Sequence, residues 1–421
     1  MDIPLQTGKV YSVKKGRLVL LTRDFRLVWW GQMVSQVGDG VSKLALLWFV
    51  YAVTGSPLKT TVIGLLQTVP PILLGPLIGV WIDRYPKKVL LIGSDVLRAI
   101  LIGFIPCSVS PEVFTVDFLY ILVFLNAVVT AVFGPALVAS VPFVVHRSQL
   151  TAANALLQST TSLGIIVGPI LSGVGIATLS SQTVLCLNAV TFLISAACLI
   201  PVRFHHVTRR QPTSGVIGSP IKDLLEGVQF VFFRQRIILL LIITAAFYTF
   251  GSSALTTLFP VFGRKLLELG PVEVGYLWSA LGVGLLAMSL ALVRMTGYGR
   301  ERRMGLIAAA SAVTGLGICS LVFVRQRPVA VVIMAIVGAG MGTMTPIAWG
   351  LLQELSPRDT VGRVLSIYNA GAMTAAIAGI SMFGWITEEF GEQASVLGIG
   401  AVMLITSVVA RLVSKQIAAT N

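Results

Sequence analysis

Gly79-Val80-Trp81-Ile82-Asp83-Arg84-Tyr85-Pro86-Lys87-Lys88 is the stretch on which the reading of the whole chain turns. It closes one apolar block, Leu58 to Ile82, and opens the next, Val89 to Val109, with Asp83, Arg84, Lys87 and Lys88 crowded between them. Each block is long enough for a helix of about 20 residues to cross a bilayer. Pro86 supplies a tight turn, so the stretch predicts two antiparallel membrane helices joined by a short basic loop.

The pattern extends in both directions. The 421 residues are 55% hydrophobic and 11% charged, with a mean hydropathy of +0.89, whereas a soluble domain is about a quarter charged. Apolar blocks separated by charged or Pro/Gly-rich breaks give twelve spans, from Leu27 to Val53 at one end of the chain to Ser395 to Val413 at the other. The first block is too long for a signal-peptide core and has no small-residue cleavage site before it, so it reads as a retained helix. The net charge of +14 raises the possibility of nucleic acid, but the basic residues sit beside the membrane. With the N-terminus in the cytoplasm, 24 of the 31 Lys and Arg fall on that side, 5 on the other, and Lys43 and Arg98 lie inside spans. The positive-inside rule then puts both termini in the cytoplasm.

The expected organisation is a basic tail (1–26), a six-helix bundle (27–202), a polar linker (203–236), a second six-helix bundle (237–413) and a short tail (414–421). Within the linker, Ile221 to Phe233 has the spacing of an amphipathic surface helix. A shift of 211 aligns Gly40 and Ser42 with Gly251 and Ser253, Pro135 with Pro346, Arg147 with Arg358, Gly168 with Gly379 and Gly173 with Gly384. A constant offset across several helices predicts duplication, with the halves related by an axis along the membrane normal, as in transporters.

Enzyme chemistry has no visible site. A Gly-x-x-x-x-Gly-Lys-Ser/Thr loop, an HExxH helix and a nucleophile elbow are all absent. Cys107, Cys186, Cys198 and Cys319 lie in apolar stretches without CxxC spacing, which supports neither a disulfide framework nor a zinc site. No cofactor or metal is expected.

The ionisable residues inside spans carry the chemistry. Asp39 and Lys43 stand at i, i+4 in the first span, with Gln36 and Gln32 one and two turns away. Intramembrane charges line cavities, pair or carry protons, and a buried carboxylate can take a proton near neutral pH. Asp39 is the candidate proton carrier, tuned by Lys43; the alternative is that the two neutralise each other and only set packing. Asn126, Gln158, Tyr248, Trp278, Trp349 and Asn369 are further candidates to line a cavity, although Asn and Gln also hydrogen-bond across helices and Trp also forms interfacial belts.

The Gly79 to Lys88 loop, followed by Asp95 and Arg98 at i, i+3, resembles the loop signature of the major facilitator superfamily. It departs from that signature at Trp81, Ile82 and Pro86. The resemblance implies that Gly79, Asp83, Arg84, Lys87, Lys88, Asp95 and Arg98 form a latch favouring the outward-facing state. The fifth-span stretch Gly164-Ile165-Ile166-Val167-Gly168-Pro169-Ile170-Leu171-Ser172-Gly173 resembles the helix carried by the superfamily's drug:proton antiporters, with Ser172 in place of a second glycine. Together with Gly38-Asp39-Gly40-Val41-Ser42 and Ala153-Asn154-Ala155, the chain resembles the bacterial branch that includes macrolide-efflux and siderophore-export proteins. The resemblance implies an all-α major facilitator fold, a monomer in the bacterial inner membrane, and export of a small amphiphilic solute against protons. A lipid or lysophospholipid flippase, and a receptor or assembly protein that transports nothing, remain the alternatives.

Overall fold

The computed structural model describes residues 22–107, 116–145, 149–204, 236–294, 299–356 and 361–420. They form α1 (Arg23–Thr54), α2 (Pro57–Arg84), α3 (Lys87–Cys107), α4 (Val116–Ser140), α5 (Leu150–Thr178), α6 (Ser181–Leu199), α7 (Arg236–Val261), α8 (Pro271–Val293), α9 (Arg300–Ser320), α10 (Arg327–Leu355) and α11 (Val361–Thr420). Within the described residues the expected spans fall on helix, except that the sixth ends at Leu199, three residues short of Val202. Nine helical runs among the described residues are long and apolar enough to cross a membrane, and Val364–Ala418 holds two of the expected spans. The break inside α11 is at Gly391, whose φ of 86° lies in the left-handed region open to glycine.

Two boundaries differ from the expectation. Helix α1 starts at Arg23, four residues early, because the Thr22 hydroxyl accepts from Phe25 N at 3.2 Å and Phe25 is buried. Such a cap satisfies one of the orphan donors of the first turn. At the other terminus, residues expected as a tail continue α11 to Thr420. Ser414 Oγ donates to Glu301 O at 3.0 Å and Ile417 is buried, so the last turns pack on the start of α9. The expected linker helix, together with His146, Arg147, His205, His206 and Arg358, lies outside the described residues, as does the side chain of Cys107.

The chain alternates direction, and side-chain bonds pin the turns at each end. At the end carrying the termini, Thr22 Oγ1 donates to Val144 O at 2.9 Å and Lys88 Nζ to Val202 O at 3.0 Å. At the far end Arg327 pairs with Glu273 at 3.0 Å and Lys265 with Glu392 at 2.8 Å.

The duplication is visible in the packing. In the first half α1 packs on α5 and α6, and α3 on α4 and α6; in the second, α7 and α9 pack on α11, and α8 and α9 on α10. The repeated glycines do matching work. A Cβ on Gly168 would lie 2.6 Å from Gly40 Cα, and one on Gly379 would collide with Phe250 O. Both are contacts within a half. One on Gly173 would lie 3.0 Å from Val272 Cα of α8, and one on Gly384 would meet Thr61 of α2. Both are contacts between halves, and positions 61 and 272 also differ by 211. Small residues at these points let backbones approach, the main source of helix association where lipid removes the hydrophobic drive.

Candidate functional site

Helices α1, α3 and α6 bring together residues that the sequence leaves scattered. Arg98, midway along α3, is buried to 1% exposure. Its guanidinium pairs with Asp95 one turn away and reaches Asp39 of α1, with Nη1 3.6 Å from Oδ2. The rings of Phe133 and Phe192 lie 4.2 and 4.3 Å from its Cζ. A planar, weakly hydrated guanidinium suits this position between two rings and two carboxylates. Asp95 is fully buried, whereas the Asp39 side chain is 36% exposed and also meets the Asn188 amide of α6.

Asp39 is thus the accessible member of a buried cluster, and its ion partner is Arg98. This differs from the expected Asp39–Lys43 pair. The same helical face carries both residues, but the Lys43 ammonium lies 5.8 Å from the centre of the Trp278 ring of α8. Lys43 therefore reaches the second half while Asp39 is held within the first.

The expected latch divides into three parts. The backbone of Gly79, Asp83 and Arg84 forms the last turns of α2, while their side chains lie outside the described residues. Lys87 Nζ donates to Ile82 O and Lys88 Nζ to Val202 O, placing cations at the carbonyl ends of α2 and of the turn after α6, where the helix dipole favours them. Asp95 and Arg98 stand two turns of α3 beyond the loop and point into the first half, where Arg98 pairs with Asp95 and reaches Asp39. The contacts of Lys88, Asp95 and Arg98 with Val202, Asp39, Phe133 and Phe192 lie within the first half.

The antiporter-type helix has its glycines at backbone crossings. Cβ atoms on Gly164 and Gly168 would collide with Gln36 and Gly40 of α1, and Gly173 packs on Pro271 of α8. The Pro169 carbonyl sits against Gly275 of α8, so this helix touches its own half along one stretch and the other half along the next.

The proposed cavity residues do not form one group. Gln32 is buried within the first half, and its Nε2 lies 3.4 Å from Ser195 Oγ. Tyr248 is buried and donates to Met341 O at 3.0 Å, tying α7 to α10. The Gln32 Nε2 and Tyr248 hydroxyl groups each meet a neighbouring helix of the same half. Gln36 is half-buried at the α1–α5 crossing and Asn126 half-buried in α4. Trp278 is buried beneath Lys43 and meets Phe259 edge-on at 5.3 Å. Gln158, Trp349 and Asn369 are exposed.

A second set, at the far end, was not foreseen. Ser56 Oγ donates to Glu388 Oε2 at 2.9 Å and Leu58 N to the same oxygen at 3.0 Å, so a carboxylate of α11 caps α2. Arg264 lies 5.7 Å from the Trp48 ring and 5.6 Å from Tyr51. These contacts join the halves and close the far end. The sequence signal was the pairing of acidic Glu388, Glu389 and Glu392 with basic Arg264 and Lys265 on one side of the membrane, but no spacing rule links residues so far apart in the chain.

A family model for the Major Facilitator Superfamily matches residues 28–380. The chain is 26% identical over 407 residues to multidrug efflux pump Tap of Mycolicibacterium fortuitum, covering 95% of this chain and 96% of that protein. It is 23% identical over 393 residues to macrolide efflux protein A of Streptococcus pyogenes, covering 93% and 96%. An inward-facing, unoccupied bacterial homologue of the human lysosomal transporter Spinster shares its fold, with a TM-score of 0.71 and 12% identity over 94% of this chain and 98% of that one. With the duplicated helices, the paired glycine crossings and a match over most of its length, the chain is a multi-pass membrane transporter, not an enzyme, and belongs to the Major Facilitator Superfamily.

Proposed function

We propose that the chain exports a small amphiphilic solute, of the drug, macrolide or siderophore kind, by alternating access in exchange for protons. In this reading it is a monomer in the cytoplasmic membrane of a bacterium, with twelve spans and both termini in the cytoplasm. The observation that carries the reading is Asp39, a partly exposed carboxylate inside the helical bundle, held by Arg98 one turn from the point where Lys43 meets Trp278 of the second half. Intramembrane carboxylates at such positions carry protons or bind cations. The full-length likeness to two efflux proteins supports the direction of transport.

Alternating access follows from the two kinds of glycine crossing. Contacts within each half keep the bundles rigid, while Gly173, Gly384, Glu388 and Arg264 meet the opposite half near the far end and Gly282 meets Ile165 midway along the helices. The far-end closure leaves solute and protons to exchange on the cytoplasmic side. Separation there and approach at the other end would expose Asp39 outward.

The test is uptake into proteoliposomes under an imposed pH gradient, with a panel of lipophilic cations, macrolides and siderophores. Wild-type protein is expected to move at least one member only when the gradient is present. Asp39→Asn, still inserted, is expected to lose that gradient dependence. Full gradient-driven transport by the variant would remove Asp39 from the coupling.

A further inference from the structure

Three charges meet inside the first half, and their balance is uneven. With both carboxylates ionised, Asp39, Arg98 and Asp95 sum to one negative charge within the apolar bundle. An uncompensated buried charge is expensive. One proton makes the group neutral.

The geometry says which carboxylate takes it. Asp95 is fully buried and holds Arg98 by the closer contact, whereas Asp39 is the longer, half-exposed partner at 3.6 Å. Protonation of Asp39 would leave Arg98 paired with Asp95 alone. Polar atoms continue from this point toward the end carrying the termini. The Ser195 hydroxyl lies beside the Asp95 carboxylate and within 3.4 Å of Gln32 Nε2. Four buried atoms of the cluster, Asp95 Oδ2, Arg98 Nε, Ser35 Oγ and Gln32 Oε1, find no hydrogen-bond partner. Buried polar atoms are nearly always satisfied, so a cluster with several orphans has spare capacity for a mobile proton and for bridging water.

We propose that Asp39, Arg98 and Asp95 act as a single one-proton site, in which Asp95 and Arg98, rather than Lys43, set the proton affinity of Asp39. This rests on the proton-coupled reading and adds two positioning residues to it. The neighbouring elements contribute little other charge. Helix α5 has no charged residue, and α6 offers the neutral Asn188, Thr191 and Ser195 beside the thiols Cys186 and Cys198. On α1 itself Lys43 is turned to Trp278. The charged side chains of α2 and α7, Lys59, Asp83, Arg84 and Arg236, belong to the ends of those helices, and Glu273 to the start of α8.

The signs follow from counting charge. In Asp95→Asn, Arg98 has one carboxylate left, so ionised Asp39 makes the group neutral and a proton must be forced on at lower pH. In Arg98→Gln, two carboxylates lack a cation and the first proton binds more tightly. The experiment is infrared absorption by the full chain in lipid vesicles across pH, with the protonated-carboxyl band assigned to Asp39 by its loss in Asp39→Asn. The expected midpoint moves to lower pH in Asp95→Asn and to higher pH in Arg98→Gln, each by about one unit or more, a tenfold change in proton affinity. Asp95→Glu is expected to restore the wild-type midpoint.

Breaking a buried pair can prevent insertion. The double variant Asp95→Asn with Arg98→Gln leaves no unpaired cation, and because Arg98 is the closer charge to Asp39 its midpoint is expected above wild type. Midpoints unmoved in these variants but moved more by Lys43→Gln would overturn the proposal. Absence in wild type of any titrating band that Asp39→Asn removes would instead overturn the proton-carrier reading beneath it.

Discussion

Arg98 shows how a single residue can be read correctly in kind and wrongly in place. Its spacing from Asp95 marks a pair on one helix face, but the ladder of i, i+3 contacts cannot say whether that face meets a loop or a neighbouring helix. The structure turns the face inward, against Asp39, Phe133 and Phe192. Asp39 itself was legible because an ionisable residue in an apolar span is rare and costly. Its partner was not, since Lys43 at i+4 satisfies the same local rule. A consequence separates the two roles: Phe192→Leu removes one ring from Arg98 without touching a charge. It is expected to lower thermal stability by about 1–2 kcal/mol through lost packing and cation–π contact, measured by thermal unfolding in detergent, while Asp39 keeps its gradient dependence.

At the scale of elements, glycine position distinguishes crossings that hold a half together from those that let the halves separate. Gly168 meets Gly40 within the first half, so Gly168→Val is expected to overpack the α1–α5 contact and cost about 1–3 kcal/mol of stability. Gly173 meets α8 of the other half. Gly173→Val is therefore expected to leave thermal unfolding nearly unchanged and to open the far end, read as faster labelling of a cysteine placed at Ser56. An equal loss of stability in both variants would mean that the two crossings are not different in kind. Helix ends were the least legible elements: α1 begins early because of the Thr22 cap and α11 runs late because Ser414 and Ile417 pack on α9. Both depend on partners more than a hundred residues away or on one hydroxyl, which hydropathy does not register.

For the whole molecule, the repeat of 211 residues carried more of the fold than any single motif. It predicted equivalent helix packing, and the structure shows the α1–α5 contact returning as α7–α11 and the α5–α8 contact as α2–α11. Chemistry does not repeat: Asp39 and Asp95 correspond to Phe250 and Leu306, so the proposed proton site belongs to the first half alone, while both halves contribute to the far-end contacts. That far-end closure was hidden from the sequence because it is made by residues such as Ser56 and Glu388 that lie 332 positions apart. Glu388→Gln weakens the cap on α2 at the closure, and a shift toward far-end-open distances is expected between spin labels placed across it. The central claim is that solute leaves as protons enter through Asp39. Its most direct test is proton movement itself, followed with a pH-sensitive dye inside proteoliposomes as a transported solute from the panel is added. The account predicts a solute-dependent proton flux opposite to the solute in wild type and none in Asp39→Asn; solute movement without proton flux in wild type, or an undiminished flux in the variant, would contradict it.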